Sequence, residues 1–141
     1  MRYEAWEQSV PESIKSDSLW SLRIYRMALY AGETGRRDAQ WLATRPQRGD
    51  LARQLASATE SISTNIAAGF SRAGKRDRGL FFEHALGSAR ESRDWYFKAR
   101  SELGEEATRA RLSLMTVIIK VLVVLVSRAR PTHTETITSD V

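Results

Sequence analysis

The sequence predicts an all-α protein, an antiparallel up-and-down four-helix bundle. Three observations predict it. Apolar residues recur at spacings of three and four over four separate stretches, the period of a helix with one buried face. Only three prolines and eight glycines interrupt the 141 residues, so those stretches run long. The breakers fall between the stretches and leave short connections, which make successive helices antiparallel neighbours. Residues 1–15 hold Pro11 and little periodicity and read as an N-terminal arm, so the bundle takes residues 16–130.

Asp17 or Ser18 caps the first helix, in which Trp20, Ile24, Met27 and Ala31 share a face and Gly32 and Gly35 end or fray it. Trp41 to Asp50, with Pro46 and Gly49, is a hinge, and Asp50 caps the second helix. In that helix Leu51, Leu55, Ala58, Ile62 and Ile66 line one face, with Arg53, Ser57, Glu60 and Thr64 opposite. Gly69 stands where a left-handed C-terminal residue is wanted. A basic linker, Ser71 to Arg78, leads into a third helix over about 75–103. It carries two adjoining stripes, one through Phe81, Ala85, Ser92 and Trp95, the other through Phe82, Leu86, Ala89 and Tyr96. Gly104 breaks the chain, and Glu105 and Glu106 suit a new helix N-terminus. The fourth helix, about 105–130, aligns Leu112, Met115, Ile119, Leu122 and Val126 until Pro131 stops it. Polar, Thr-rich residues 131–141 read as a disordered tail.

The fourth helix is apolar nearly all round. Leu112 to Val126 runs fifteen residues with only Ser113, Thr116 and Lys120 as polar interruptions. That is longer than a strand and shorter than the roughly 20 residues a membrane span needs. Val117, Ile118, Val121, Val123 and Val124 lie off its main stripe, more than one bundle buries, so the helix predicts self-association.

Composition narrows the chemistry. No cysteine is present, which excludes disulfides, thiolate zinc sites and thiol nucleophiles. His84 and His133 are the only histidines, too few for a multi-histidine metal site. His84, beside Glu83 and two turns from Glu91, has no orienting partner or oxyanion donors in view, so no enzyme, cofactor or metal is expected. The N-terminus lacks the apolar core of a secretory signal, which makes the cytoplasm the default location. The net charge is +5, and the segments 1–18 and 131–141 each sum to −2, so the middle carries +9. A basic body suits an anionic partner such as nucleic acid.

That charge is concentrated. Arg72, Lys75, Arg76 and Arg78 face only Asp77, and cations at a helix start oppose its dipole, so they contribute nothing to local stability and favour an anion-binding role. Arg36, Arg37, Arg45 and Arg48 form a second basic group around the hinge. These eight are the candidate nucleic-acid contacts, with Phe70 placed to stack on a single strand. Gly69-Phe-Ser-Arg-Ala-Gly74-Lys75 approaches a phosphate-binding P-loop. It carries Arg76 where a hydroxyl would reach magnesium, and it follows a helix rather than a strand. Gly87 and Ser88, between Ala85 and Ala89, make a shallow patch for another helix backbone, and Asn65 can bond a neighbouring helix. With Val117, Ile118, Val121 and Val124 these are the candidate packing or oligomer contacts.

Gln54-Leu55 followed by Ser61-Ile62-Ser63-Thr64-Asn65-Ile66-Ala67-Ala68-Gly69-Phe70-Ser71-Arg72 resembles the SIPxNIAEGxxR signature of the four-helix-bundle proteins encoded in intervening sequences of bacterial 23S ribosomal RNA genes. Ala85-Leu86-Gly87-Ser88-Ala89-Arg90-Glu91 resembles that family's second motif, AxGSxxE. Ser63 replaces the signature's Pro, Ala68 its Glu, and Ser57 a basic residue. The resemblance covers about residues 17–126 and implies a bundle assembled as a homo-oligomeric ring, often a pentamer. The accessory variability proteins of diversity-generating retroelements are similar; they bind nucleic acid and a reverse transcriptase. The expected function is therefore non-enzymatic binding of RNA or DNA backbone through the basic surface. The alternative is a ring that docks an acidic protein such as a reverse transcriptase or other polymerase.

Overall fold

The computed structural model describes residues 1–130; the predicted tail 131–141, with His133, lies outside the described residues. Among the described residues every regular element is helical. In order they are α1 (Tyr3–Ser9), α2 (Glu12–Lys15), a 3-10 turn at Ser18–Ser21, α3 (Arg23–Leu42), α4 (Gly49–Phe70), α5 (Lys75–Lys98), α6 (Arg100–Leu103) and α7 (Glu105–Ala129). The four long helices make a closed circuit of neighbours: α3 on α4, α4 on α5, α5 on α7, and α7 back on α3.

The predicted stripes are what meets in the middle. Leu51, Leu55, Ala58, Ile62 and Ile66 of α4 are all buried, and Arg53, Ser57, Glu60 and Thr64 opposite them are all exposed. Leu55, Ile62, Ile66, Tyr96, Met115, Ile118 and Leu122 are sealed from solvent. Each removes a large apolar surface from water, worth about 1.5–3 kcal/mol per side chain.

Several boundaries differ from the sequence reading. Asp17 caps the 3-10 turn, its carboxylate accepting from the Leu19 amide at 2.8 Å, and α3 starts only at Arg23. Gly32 and Gly35 do not end that helix; it runs through both to Leu42. They are where α3 touches α4. A Cβ on Gly35 would collide with the Thr59 hydroxyl and lie 2.6 Å from the Thr59 Cβ, and one on Gly32 would lie 3.5 Å from the Thr59 carbonyl oxygen. The tertiary contact outweighs the ~1 kcal/mol that each glycine costs a helix interior. Gly69 is helical too, with Phe82 against its bare side, and Ser71 closes α4 in a right-handed conformation. The left-handed positions are Gln47, after Pro46 in the hinge, and Gly104 between α6 and α7. At Gly104, φ of +87° demands glycine. Arg48, not Asp50, occupies the N-cap of α4, and Asp50 lies in its first turn. The third predicted helix breaks at Ala99 into α5 and α6.

The first fifteen residues are folded onto the long helices. Trp6 is buried, with its ring 5.4 Å from those of Tyr3 and Tyr30 and 6.2 Å from Trp20. The Tyr30 hydroxyl donates to the Met1 carbonyl at 2.6 Å. An aromatic layer therefore ties α1 to α3, a contact that periodicity within residues 1–15 cannot reveal.

α7 is long and apolar enough, by length and composition, to cross a membrane. Its inner face, Met115, Ile118, Ile119, Leu122 and Val126, is packed in the core. The sequence pattern puts Ile118 on the outside; it is instead fully buried against its own chain, so the outward apolar face is narrower than expected. Val117, Val123 and Val124 form that face, each more than two-fifths exposed, while Val121 is half-buried.

Candidate nucleic-acid interface

Arg45 and Arg48 of the hinge and the linker cations lie at opposite ends of α4, while Arg36 and Arg37 sit mid-way along it, in one cavity with Glu60, Ser63 and Thr64. The hinge precedes Gly49 and the linker follows Phe70, and 22 helical residues separate them by about 33 Å. They do not form one surface.

Their charges are also used differently. At and before the hinge, Arg36 pairs with Glu33 at 2.7 Å and Arg37 approaches the same carboxylate at 3.8 Å. Arg48 forms an ion pair with Glu102 of α6, tying the hinge to the far end of α5. Arg45 lies over the Trp41 ring, 5.5 Å from its centroid. At the linker end, Arg72, Lys75, Arg76 and Arg78 are all exposed. Among the described residues none of these four has a carboxylate within 4.0 Å. Arg72 rests over Phe81, 4.7 Å from the ring centroid, which orients its guanidinium without neutralising it.

Tertiary packing enlarges the linker cluster. Lys75 and Arg78, in the first turn of α5, share a 260 Å³ cavity with Arg128 and Ala129 of α7, lined by Phe82 and Leu125. The approach is close because position 79 is glycine: a Cβ there would lie 2.8 Å from that of Ala129. Arg128 is not among the sequence candidates. Its signal is present, a cation in the last turn of the helix that ends beside the linker, but only the antiparallel course of α5 and α7 reveals it. The near P-loop is ordinary helix punctuation. Gly69 belongs to α4 and Gly74 is the extended N-cap of α5.

The remaining candidates divide. The Ser61 and Ser88 hydroxyls meet across α4 and α5 at 2.5 Å, joining the two sequence motifs. Ile62, Ile66, Ala85 and Ala89 of those motifs are all buried, so much of each motif is helix packing. Asn65 turns back on its own helix, donating to the Ser61 carbonyl at 2.8 Å, and reaches no neighbour. Gly87 is exposed, and among the described residues nothing lies within 4 Å of a Cβ built there, so no described helix packs across it. His84 is exposed beside Phe81, with ring centroids 6.3 Å apart.

Sequence reading missed one polar cluster. Arg111 of α7 donates from Nε and an Nη to the two carboxylate oxygens of Asp38 of α3, at 2.6 and 3.2 Å. The Tyr96 hydroxyl of α5 donates to the same carboxylate at 2.7 Å. Burial pushes the Tyr96 phenol far above its ordinary value, and Asp38 adds to the rise. Burial pulls the Arg111 guanidinium down, but hydrogen bonding and charge from Asp38 together outweigh it and leave its pKa raised. Three helices are latched by one carboxylate, an arrangement that fixes register rather than performs chemistry.

The sequence profile of the 23S rRNA-intervening sequence protein family matches residues 40–123. The chain belongs to that family. A crystal structure at 1.70 Å of a protein of unknown function of the S23 ribosomal protein family, from Bacteroides thetaiotaomicron, is similar to it with a TM-score of 0.69. The match covers 73% of this chain and 97% of that one at 17% identity, which shows a shared fold alone. No curated protein matches the chain. The family's matched segment spans the hinge, all of α4 and α5, and most of α7, and so includes the whole linker cluster.

Proposed function

We propose that this member of the 23S rRNA-intervening sequence protein family is a non-enzymatic, cytoplasmic antiparallel four-helix bundle. It assembles into a homo-oligomeric ring, a pentamer by the family resemblance, and binds the backbone of RNA or DNA. The observation that carries this is the cation cluster at the linker end: Arg72, Lys75, Arg76 and Arg78, without a carboxylate partner among the described residues, with Arg128 beside them. Cations without carboxylate partners bind phosphates with counterion release and without reading bases. The hinge arginines, held by Glu33, Glu102 and Trp41, supply less. The exposed valines of α7 support assembly, and repeating the cluster around a ring multiplies its affinity.

Anisotropy titration of a labelled 20-nucleotide RNA at several salt concentrations tests the reading. Binding should weaken steeply with salt. R72Q/K75Q/R76Q/R78Q should reduce affinity at every salt and flatten the log–log slope by about 3. Binding indifferent to both would remove it. Light scattering of the wild type and of V117D/V124D tests the ring; a wild type that stays monomeric at high micromolar concentration would refute assembly.

One observation favours docking of a protein instead. Trp41 and Phe97 are exposed aromatic rings at the hinge end, with Arg45 and Arg100 over them, residue types that dominate protein interfaces. If a polymerase-like acidic partner is the target, its binding survives nuclease treatment and is lost in W41A/F97A.

A further inference from the structure

The N-terminal segment does more than cover α3. With the Val10–Pro11 link between them, α1 and α2 stand against α3 and α4 around a cavity of 630 Å³. Small-molecule sites fall in the same range, about 300–1,000 Å³. On α3 the lining residues Tyr25, Leu29, Gly32 and Arg36 follow at spacings of four, three and four, one face of the helix. The cavity is therefore long, since α3 rises about 18 Å from Tyr25 to Arg37.

Its lining changes character along that length. At Tyr25 and Leu29 the α3 wall is apolar, and the N-terminal segment adds Val10, Pro11 and the exposed Ile14. Further along, α3 contributes Glu33, Arg36 and Arg37, and α4 contributes Glu60. A Cβ on Gly32 would lie 3.6 Å from the Glu60 Cα, so Glu60 stands across from that charged turn. Arg36 occupies Glu33, donating to it at 2.7 Å. Arg37 stays 3.8 Å from the same carboxylate, outside hydrogen-bond range. Among the described residues Glu60 has no cation within 4.0 Å. One guanidinium and one carboxylate thus line the charged end without a hydrogen-bonded counter-ion among the described residues. Ser63 lines the same space and is only 8% exposed, yet its hydroxyl reaches no acceptor better than the Glu60 carbonyl of its own helix, at 3.5 Å. A hydroxyl so buried and so loosely held gains from a further partner.

The geometry points to a binding site for a small amphipathic zwitterion, its carboxylate on Arg37, its ammonium on Glu60 and its apolar tail along Tyr25 and Leu29 beneath the N-terminal segment. A simple anion would meet Glu60 and a simple cation would meet Arg37, each at a like-charge cost, so the site selects a head that carries both signs. Ser63 offers the head one more hydrogen bond. The site is distinct from the linker cluster and owes nothing to phosphate binding.

Isothermal titration calorimetry of the full chain tests this at low salt, with α-aminodecanoic acid, decanoate and decylamine, each below its critical micelle concentration. The three have similar tails and differ in head charge. α-Aminodecanoic acid should bind about three- to tenfold more tightly than either singly charged analogue. R37Q should reduce its affinity to that of decylamine without weakening decylamine. E60Q should reduce it to that of decanoate without weakening decanoate. I14D, which charges the apolar wall, should weaken all three. Equal affinity for the three heads, R37Q and E60Q acting alike on every ligand, or an I14D chain that binds as wild type would each overturn the assignment. So would the absence of saturable heat with the zwitterion.

Discussion

Replacing Gly35 by alanine should split α3 from α4. The new methyl would collide with the Thr59 hydroxyl, and would sit 2.6 Å from the Thr59 Cβ and 2.7 Å from its Cγ2. No Thr59 rotamer relieves this, because Cβ itself is too close. Thr59 is fully buried and donates to the Leu55 carbonyl at 2.9 Å, so the strain passes to the helix backbones. Overpacking of this kind costs about 1–3 kcal/mol, and alanine returns about 1 kcal/mol of helix propensity. With side-chain escape blocked the upper end applies, a net loss of about 2 kcal/mol. For a domain of this size that is a fall in Tm of roughly 6–10 °C. Urea unfolding followed by circular dichroism should show a lower midpoint at unchanged slope. The second-site change T59A leaves the 2.6 Å clash and should restore little, whereas T59G should restore most of it. Gly87→Ala is the control. With open space around it, it should gain about 1 kcal/mol in the isolated chain. Gly35→Ala as stable as wild type, or full rescue by T59A, would refute the close-approach account.

Other outcomes follow from the same geometry. Asp38→Asn leaves the Arg111 guanidinium, itself largely buried, without its counter-charge, and should cost about 2–3 kcal/mol by urea unfolding. Tyr96 has its pKa raised in the folded state above its ordinary 10.0, so its contribution is complete below pH 10 and is lost as pH rises beyond it. Wild-type stability should therefore decline above pH 10, by up to about 1.4 kcal/mol per pH unit from this group, and Tyr96→Phe should flatten that decline. Tyr25, raised by burial and by Asp17, adds in the same direction. Trp6→Ala should release the N-terminal segment without unfolding the long helices. Limited proteolysis should cut before Arg23 while the urea midpoint of the remainder changes little; a cooperative loss of the whole fold would contradict this.

Helix period and breaker placement are enough to locate the four long helices, because an amphipathic stripe is a local property written at three- and four-residue spacing. The buried stripe of α4 is the clearest case, with all five predicted positions inside. Errors arise where a residue's role depends on something distant in sequence. Gly32 and Gly35 read as breakers and serve as contact points, since Thr59 lies more than twenty positions away. Residues 1–15 read as an arm because Trp6 finds its aromatic partners in Trp20 and Tyr30 as well as in its own helix. Ile118 reads as surplus because the width of α7's buried face is set by how α3 and α5 flank it.

The candidate site divides along the same line. Sequence alone determined the all-helical class, the family and the concentration of positive charge at residues 72–78, each a matter of residue type and short spacing. Tertiary structure decided that Arg45 and Arg48 stand an α4 length from the linker cluster, and that Glu102 pairs with Arg48. It also brought Arg128 to the second. Whether a cation is available to a phosphate depends on which carboxylates reach it through space, and distance through space is a property of the packed helices rather than of the order of residues along them.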